Sequence, residues 1–141
     1  MEGVMKRRVV ITGMGAVTPL GVGVEPSWRA LREGQSGIGR VTLFDPSPFK
    51  CQVAGEVKGF NPLDFMDEKT ARRMDRFIQF AVAAARMAVG GSGLNIDSSN
   101  EDRVGTVIGT GVGTYHSFEQ AHSLVMRGAH GEVSPFFMVT T

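Results

Sequence analysis

The sequence predicts an α/β layered fold, on three observations. Residues 9–11 and 104–108 are short runs rich in β-branched residues, too brief for helices and each stopped by glycine. Between and after them, apolar residues recur at helical spacing. Glycine, 19 of 141 residues, is spread along the chain as corners and forms no low-complexity tract. Strand, helix, irregular stretch, helix, strand, helix is the order of a sheet covered by helices.

The first strand is Val9-Val10-Ile11, and a continuous apolar run of this kind expects burial on both faces. Gly13 and Gly15 are expected to turn the backbone sharply, and Thr18-Pro19-Leu20-Gly21 carries the chain onward. A dinucleotide-binding turn is the chemical alternative to a plain corner. It is poorly supported, because Thr18 stands at the third glycine position and Pro19 blocks the helix whose amides would meet a pyrophosphate.

Composition narrows the partners. Hydrophobic residues make up 42% and charged residues 21%, with a formal net charge of +1. No overall basic field draws nucleic acid or anionic lipid, so neither is expected as a partner. Cys51 is the single cysteine, which rules out an intrachain disulfide. MEGVMKRR lacks the apolar stretch of a signal peptide, and no run approaches the length of a membrane span, so the cytoplasm is the expected location.

Downstream of the first strand, Pro26 suits a first helical turn, Trp28 and Leu31 form an apolar stripe, and Gly34 stops a helix that began near Val24. Residues 35–66 are broken by glycine and proline; within them residues 52–57 alternate as an edge strand would. Cys51 beside Lys50 has no histidine near in sequence and reads as a bystander.

Asp67 opens the clearest helix, continuous to about Val89, with Met74, Phe77, Ile78, Ala81, Val82, Ala85 and Val89 on one face. Its alanines thin it for close packing. Lys69, Arg72, Arg73 and Arg76 crowd the first turns, where cations oppose the helix dipole at about 0.3 to 1 kcal/mol each. Residue types alone leave a functional patch and a solvated basic face equally open.

A polar connection, residues 94–103, leads to the second strand and a turn through Gly109, Gly111 and Gly113. No Lys-Ser or Lys-Thr closes a P-loop there. A helix follows from Thr114 to about Met126. His116 and His122 on it are six residues apart, on different faces, and make no metal site. After a turn the chain ends on the apolar run SPFFMVTT, which looks like the entrance to a further element.

Taken together, RRVVITGMGAVTPLG, WRALREGQSGI, FDPS, RRMDRFIQFAVAAA, VGTVIGTGVG and SPFF resemble the N-terminal part of β-ketoacyl-[acyl-carrier-protein] synthases of the elongating, type II kind. The resemblance implies a thiolase-like layered fold of two duplicated α/β halves, active as a homodimer. Residues 1–141 would be the N-terminal part of the synthase's N-terminal domain, with the C-terminal half absent. It also implies decarboxylative Claisen condensation in fatty acid elongation. A cysteine takes the acyl group from a carrier thioester, malonyl-carrier loses carbon dioxide, and the resulting carbanion attacks the acyl-enzyme while two histidines assist. No metal or organic cofactor is implied.

The resemblance places that cysteine shortly beyond Thr141 and both histidines later still. Cys51, His116, His122 and His130 match none of them, so no catalytic residue is expected in this chain and alone it should be inactive. Other roles carry over by position. Val112 matches a residue lining the acyl pocket. Phe137 and Met138 match residues that cross the dimer interface to shape the partner's pocket. Lys69, Arg72 and Arg73 match a basic patch that receives acidic acyl carrier protein. Gly131-Glu132 depart from the pattern, since related enzymes can carry basic residues before SPFF. Two other classes remain as alternatives: a catalytically silent, chain-length-factor-like partner, and an unrelated nucleotide-binding module.

Overall fold

The computed structural model describes residues 8–135 and 137. It is a mixed structure in which helices dominate and the strands are few and short. Strand β1 (Val17–Thr18) pairs antiparallel with β2 (Gly21–Val22) through the Pro19-Leu20 turn. Helix α1 (Val24–Arg32) follows at once. Ser27 fastens it to the hairpin by donating from its hydroxyl to the carbonyls of Gly23 (2.8 Å) and Gly21 (3.1 Å). Gly34, at φ 69, ends the helix in the left-handed conformation that glycine tolerates best.

Strand β3 (Ile38–Arg40) pairs antiparallel with β4 (Val53–Gly55). The edge strand expected at residues 52–57 is therefore present in shortened form. Glu56 closes this unit, its carboxylate accepting from the Thr42 hydroxyl (2.7 Å) and from the amides of Thr42 (2.9 Å) and Leu43 (3.1 Å). A modest core gathers Ala30, Val41, Phe60, Met66, Ala71 and Ala83, all buried. Phe60 stacks on Phe65 and meets Phe80 edge-on at 4.9 Å.

The two apolar runs expected as strands depart from expectation. Residues 8–16 and 104–110 belong to no strand, and Val9 and Val107 are 92% and 99% exposed. A strand is satisfied only by ladder partners on its edges, and the described residues supply none for either run. Gly13 and Gly15 also serve another purpose than a sharp turn, since neither has positive φ. A Cβ on Gly13 would fall on the Ala88 carbonyl oxygen, and one on Gly15 on that of Ala84. The run lies directly against the small-residue face of a helix, which is the close packing its alanines foretold.

That helix is not continuous from Asp67. It divides into α2 (Glu68–Ala71) and α3 (Arg76–Ser92), joined by a corner at residues 72–75. Asp75 is extended there (φ −61, ψ 154), which breaks the helical path. Gln79 holds the corner by donating from Nε2 to the carbonyls of Ala71 (2.8 Å) and Met74 (3.1 Å). Gly90 and Gly91 lie inside α3, and Gly93, at φ 71, terminates it. Helix α4 (Tyr115–Met126) stands where the sequence places it, entered through Thr114 at an unusual φ of 54.

Candidate functional site

The broken helix changes the meaning of the basic cluster. Arg72 is the C-cap of α2, the end where a cation suits the helix dipole, whereas Lys69 is the second of the four residues of α2. Asp67 caps α2: its Oδ1 accepts from the Thr70 amide at 2.9 Å and its Oδ2 from the Thr70 hydroxyl at 2.6 Å. Those donors, the hydroxyl foremost, hold the Asp67 carboxyl below its ordinary range. Lys69, Arg72 and Arg73 are all exposed and share the end of α2 and the corner after it. Arg72 also forms an ion pair with Glu68, one turn back. Exposed pairs of this kind contribute little, so a stronger acidic partner can displace Glu68.

Arg76 is different. Its guanidinium lies 4.9 Å from the Phe80 ring centroid and 5.9 Å from that of Phe60, and it donates to the Val57 carbonyl at 2.9 Å. It ties α3 to the core and is separated in role from the other three cations.

The structure also brings together residues the sequence does not connect. A cleft of about 490 Å³ opens between the corner and α4, lined by Arg72, Arg73 and Asp75 on one side and His116, Ser117 and Gln120 on the other. Ser117 donates its hydroxyl to Asp75 Oδ1 at 2.6 Å, while Asp75 Oδ2 is buried with no hydrogen-bond partner among the described residues. His116 Nε2 and Gln120 Nε2 are 2.9 Å apart, one helical turn from each other. An aspartate inside an otherwise helical run was the available signal for the break, since Asp is a preferred residue at helix starts.

Val112 is 66% exposed on a corner set against α3, where a Cβ on the next residue, Gly113, would come within 2.7 Å of the Phe77 ring. Phe137 packs edge-on against Phe118 at 5.1 Å. Met138, the other residue matched to the pocket, lies outside the described residues. Cys51 is exposed, and its thiol faces the Val53 carbonyl at 3.6 Å. Among the described residues, no group of three or more His, Cys, Asp or Glu could hold a metal ion, and no helix is long and apolar enough to cross a membrane.

Two solved structures that share this backbone are a ketosynthase/chain length factor and a β-ketoacyl synthase. The chain superposes on an ishigamide ketosynthase/chain length factor with a TM-score of 0.75 and 34% identity, covering 95% of this chain and 34% of that one. A β-ketoacyl synthase from Burkholderia phymatum gives a TM-score of 0.74 at 28% identity, over 93% of this chain and 33% of that one.

The family follows from sequence. The β-ketoacyl synthase N-terminal domain matches residues 6–141, and the chain belongs to that family. It is 46% identical over 132 residues to a 3-oxoacyl-[acyl-carrier-protein] synthase 2 of Staphylococcus aureus, covering 94% of this chain and 32% of the relative. A synthase of the same name from Vibrio harveyi is 47% identical over 136 residues, 96% of this chain and 33% of the relative. The chain thus spans about a third of the length of the relatives it matches.

Proposed function

We propose that this chain is the carrier-docking part of an elongating β-ketoacyl-[acyl-carrier-protein] synthase, inactive in condensation by itself. The observation that carries this is the identity of 46% to 47% with synthases of that name along nearly the whole chain, with the cations Lys69, Arg72 and Arg73 exposed on one corner. In the complete enzyme the reaction is decarboxylative condensation of an acyl thioester with malonyl-carrier, in fatty acid elongation, carried out by a homodimer in the cytoplasm. The fold of that enzyme is the thiolase-like layered arrangement, of which residues 1–141 form the first part. Sheet neighbours supplied by the remainder would cover the runs at residues 8–16 and 104–110, which have no ladder partner among the described residues.

Lys69, Arg72 and Arg73 receive acidic side chains of the carrier, and their shared location makes the attraction dependent on ionic strength. Val112, Phe137 and Met138 contribute to the acyl pocket, the last two across the dimer interface. Cys51 takes no acyl group. A salt-dependent titration of acyl carrier protein against this chain and its Lys69→Glu/Arg72→Glu/Arg73→Glu variant tests the docking. The variant should bind more weakly and with a flatter salt dependence; unchanged binding would remove the patch from the account.

A second possibility is a catalytically silent partner of the chain-length-factor kind. The superposition on a ketosynthase/chain length factor favours keeping it. The residue at the nucleophile position of the full-length protein separates the two: cysteine supports a synthase, any other residue a silent partner.

A further inference from the structure

We infer that the apolar groove between α1 and β3 binds the alkyl chain of a free long-chain fatty acid, whose carboxylate meets Arg40. This site shares no residue with the basic corner and does not depend on the docking function proposed above. The groove holds about 450 Å³, within the range of about 300 to 1,000 Å³ usual for small-ligand sites. Pro19 and Leu20 line it from the hairpin turn, Trp28 and Leu31 from α1, and Ile38 from β3. Trp28, Leu31 and Ile38 are each more than half exposed, so three large apolar side chains meet water around one opening. The two hydroxyls of the lining, on Thr18 and Ser27, lie 2.9 Å apart and are bonded to each other and to the carbonyls of Gly21 and Gly23. No unmet side-chain hydrogen-bonding group is left in the lining to hold a polar ligand.

Arg40 sets the sign of the head group. Side chains alternate along a strand, and the register pairing Ile38 with Gly55 and Arg40 with Val53 puts Arg40 on the same face as Ile38, about 7 Å further along. Arg40 is exposed and joins no ion pair among the described residues. The Glu56 carboxylate, just past β4, is taken up by Thr42 and Leu43. Along α1 and its C-cap the charges balance: Arg29 pairs with Glu25 at 3.7 Å, and Arg32 stands next to Glu33. Arg40 is therefore an uncompensated cation on the face of the groove, and its planar fork matches a carboxylate at two points. A fatty acid has the same layout, one apolar chain ending in one carboxylate.

Trp28 is the single tryptophan, so its emission reports on the groove directly. With the chain at low micromolar concentration, dodecanoate below its micellar concentration should shift that emission to the blue and saturate. Hexanoate, whose chain is half as long, should bind about tenfold or more weakly. Dodecyltrimethylammonium keeps the chain and reverses the charge, and should bind about fivefold or more weakly. Arg40→Gln, at an exposed position, should weaken dodecanoate binding by about five- to tenfold, while Arg103→Gln, outside the groove, should leave it unchanged. No shift with dodecanoate would overturn the proposal. Equal binding of the anionic and cationic amphiphiles, or of dodecanoate to the parent and to Arg40→Gln, would leave only an unselective apolar patch and overturn the fatty-acid assignment. Emission that moves with protein concentration alone would make a second copy the occupant and overturn it. A shift with phosphatidylglycerol vesicles and none with free dodecanoate would make the groove a membrane-facing patch, which overturns it equally.

Discussion

Ser117 donates its hydroxyl to Asp75 Oδ1 at 2.6 Å, a bond between residues 42 positions apart that joins α4 to the start of α3. Asp75 caps nothing with its side chain, and among the described residues Ser117 is the one donor to its carboxylate. Ser117→Ala would leave both carboxylate oxygens without a protein donor. The expected cost is about 1 to 3 kcal/mol, read from urea denaturation. Carrier affinity should fall with it, because the corner presenting Arg72 and Arg73 loses its tie to α4.

The glycines divide by what surrounds them. Gly15→Ala drives a methyl group into the Ala84 carbonyl, so either the run at residues 8–16 lifts from α3 or the helix shifts. A loss of about 1 to 3 kcal/mol is expected. Gly91 lies within α3 with open space about its Cβ position and no positive φ. Gly91→Ala should therefore stabilise the chain by about 0.5 to 1 kcal/mol through helix propensity. Thermal melts of the two variants should move in opposite directions.

Acid should loosen two specific places. Hydrogen bonds from the Thr70 hydroxyl and amide hold the Asp67 carboxyl below its ordinary range, and those from Thr42 do the same for Glu56. A carboxyl lowered in the folded chain stabilises it fully above the unfolded value, about 4, and stops doing so as pH falls through the lowered folded value. Amide exchange at Thr70, Thr42 and Leu43, corrected for its intrinsic pH dependence, should be steady from pH 7 to about 5. Protection should then drop below about pH 4. Protection unchanged down to pH 2 would contradict both assignments.

Exposed apolar runs invite association. Val107 is 99% exposed on a run with no ladder partner, a feature that favours edge-to-edge pairing between copies. The chain is expected to aggregate at high micromolar concentration, and Val107→Lys should delay this in light scattering. Equal scattering from parent and variant would place the sticky surface elsewhere.

Much of this was legible in the sequence. Helix α1 was marked by Pro26 and Gly34, α4 by its apolar spacing, and the alanine face of α3 by its composition. The unpaired runs were not, because β-branched residues signal a capacity for strand formation while a strand exists only with neighbours. The break at Asp75 was masked by an apolar periodicity that carries on across it. For the site, the three matched cations were visible as a cluster. Their joining to His116, Ser117 and Gln120 was invisible, since it depends on a contact between residues 42 apart.

The proposed function has this chain receive a carrier and perform no acyl chemistry. The most direct measurement is the intact mass of the chain after incubation with an acyl-carrier thioester, under conditions where a titration shows the carrier bound. An unchanged mass is expected, with the exposed Cys51 thiol unmodified. A thioester-linked acyl group on Cys51, formed faster than on a small-molecule thiol of the same concentration, would contradict it.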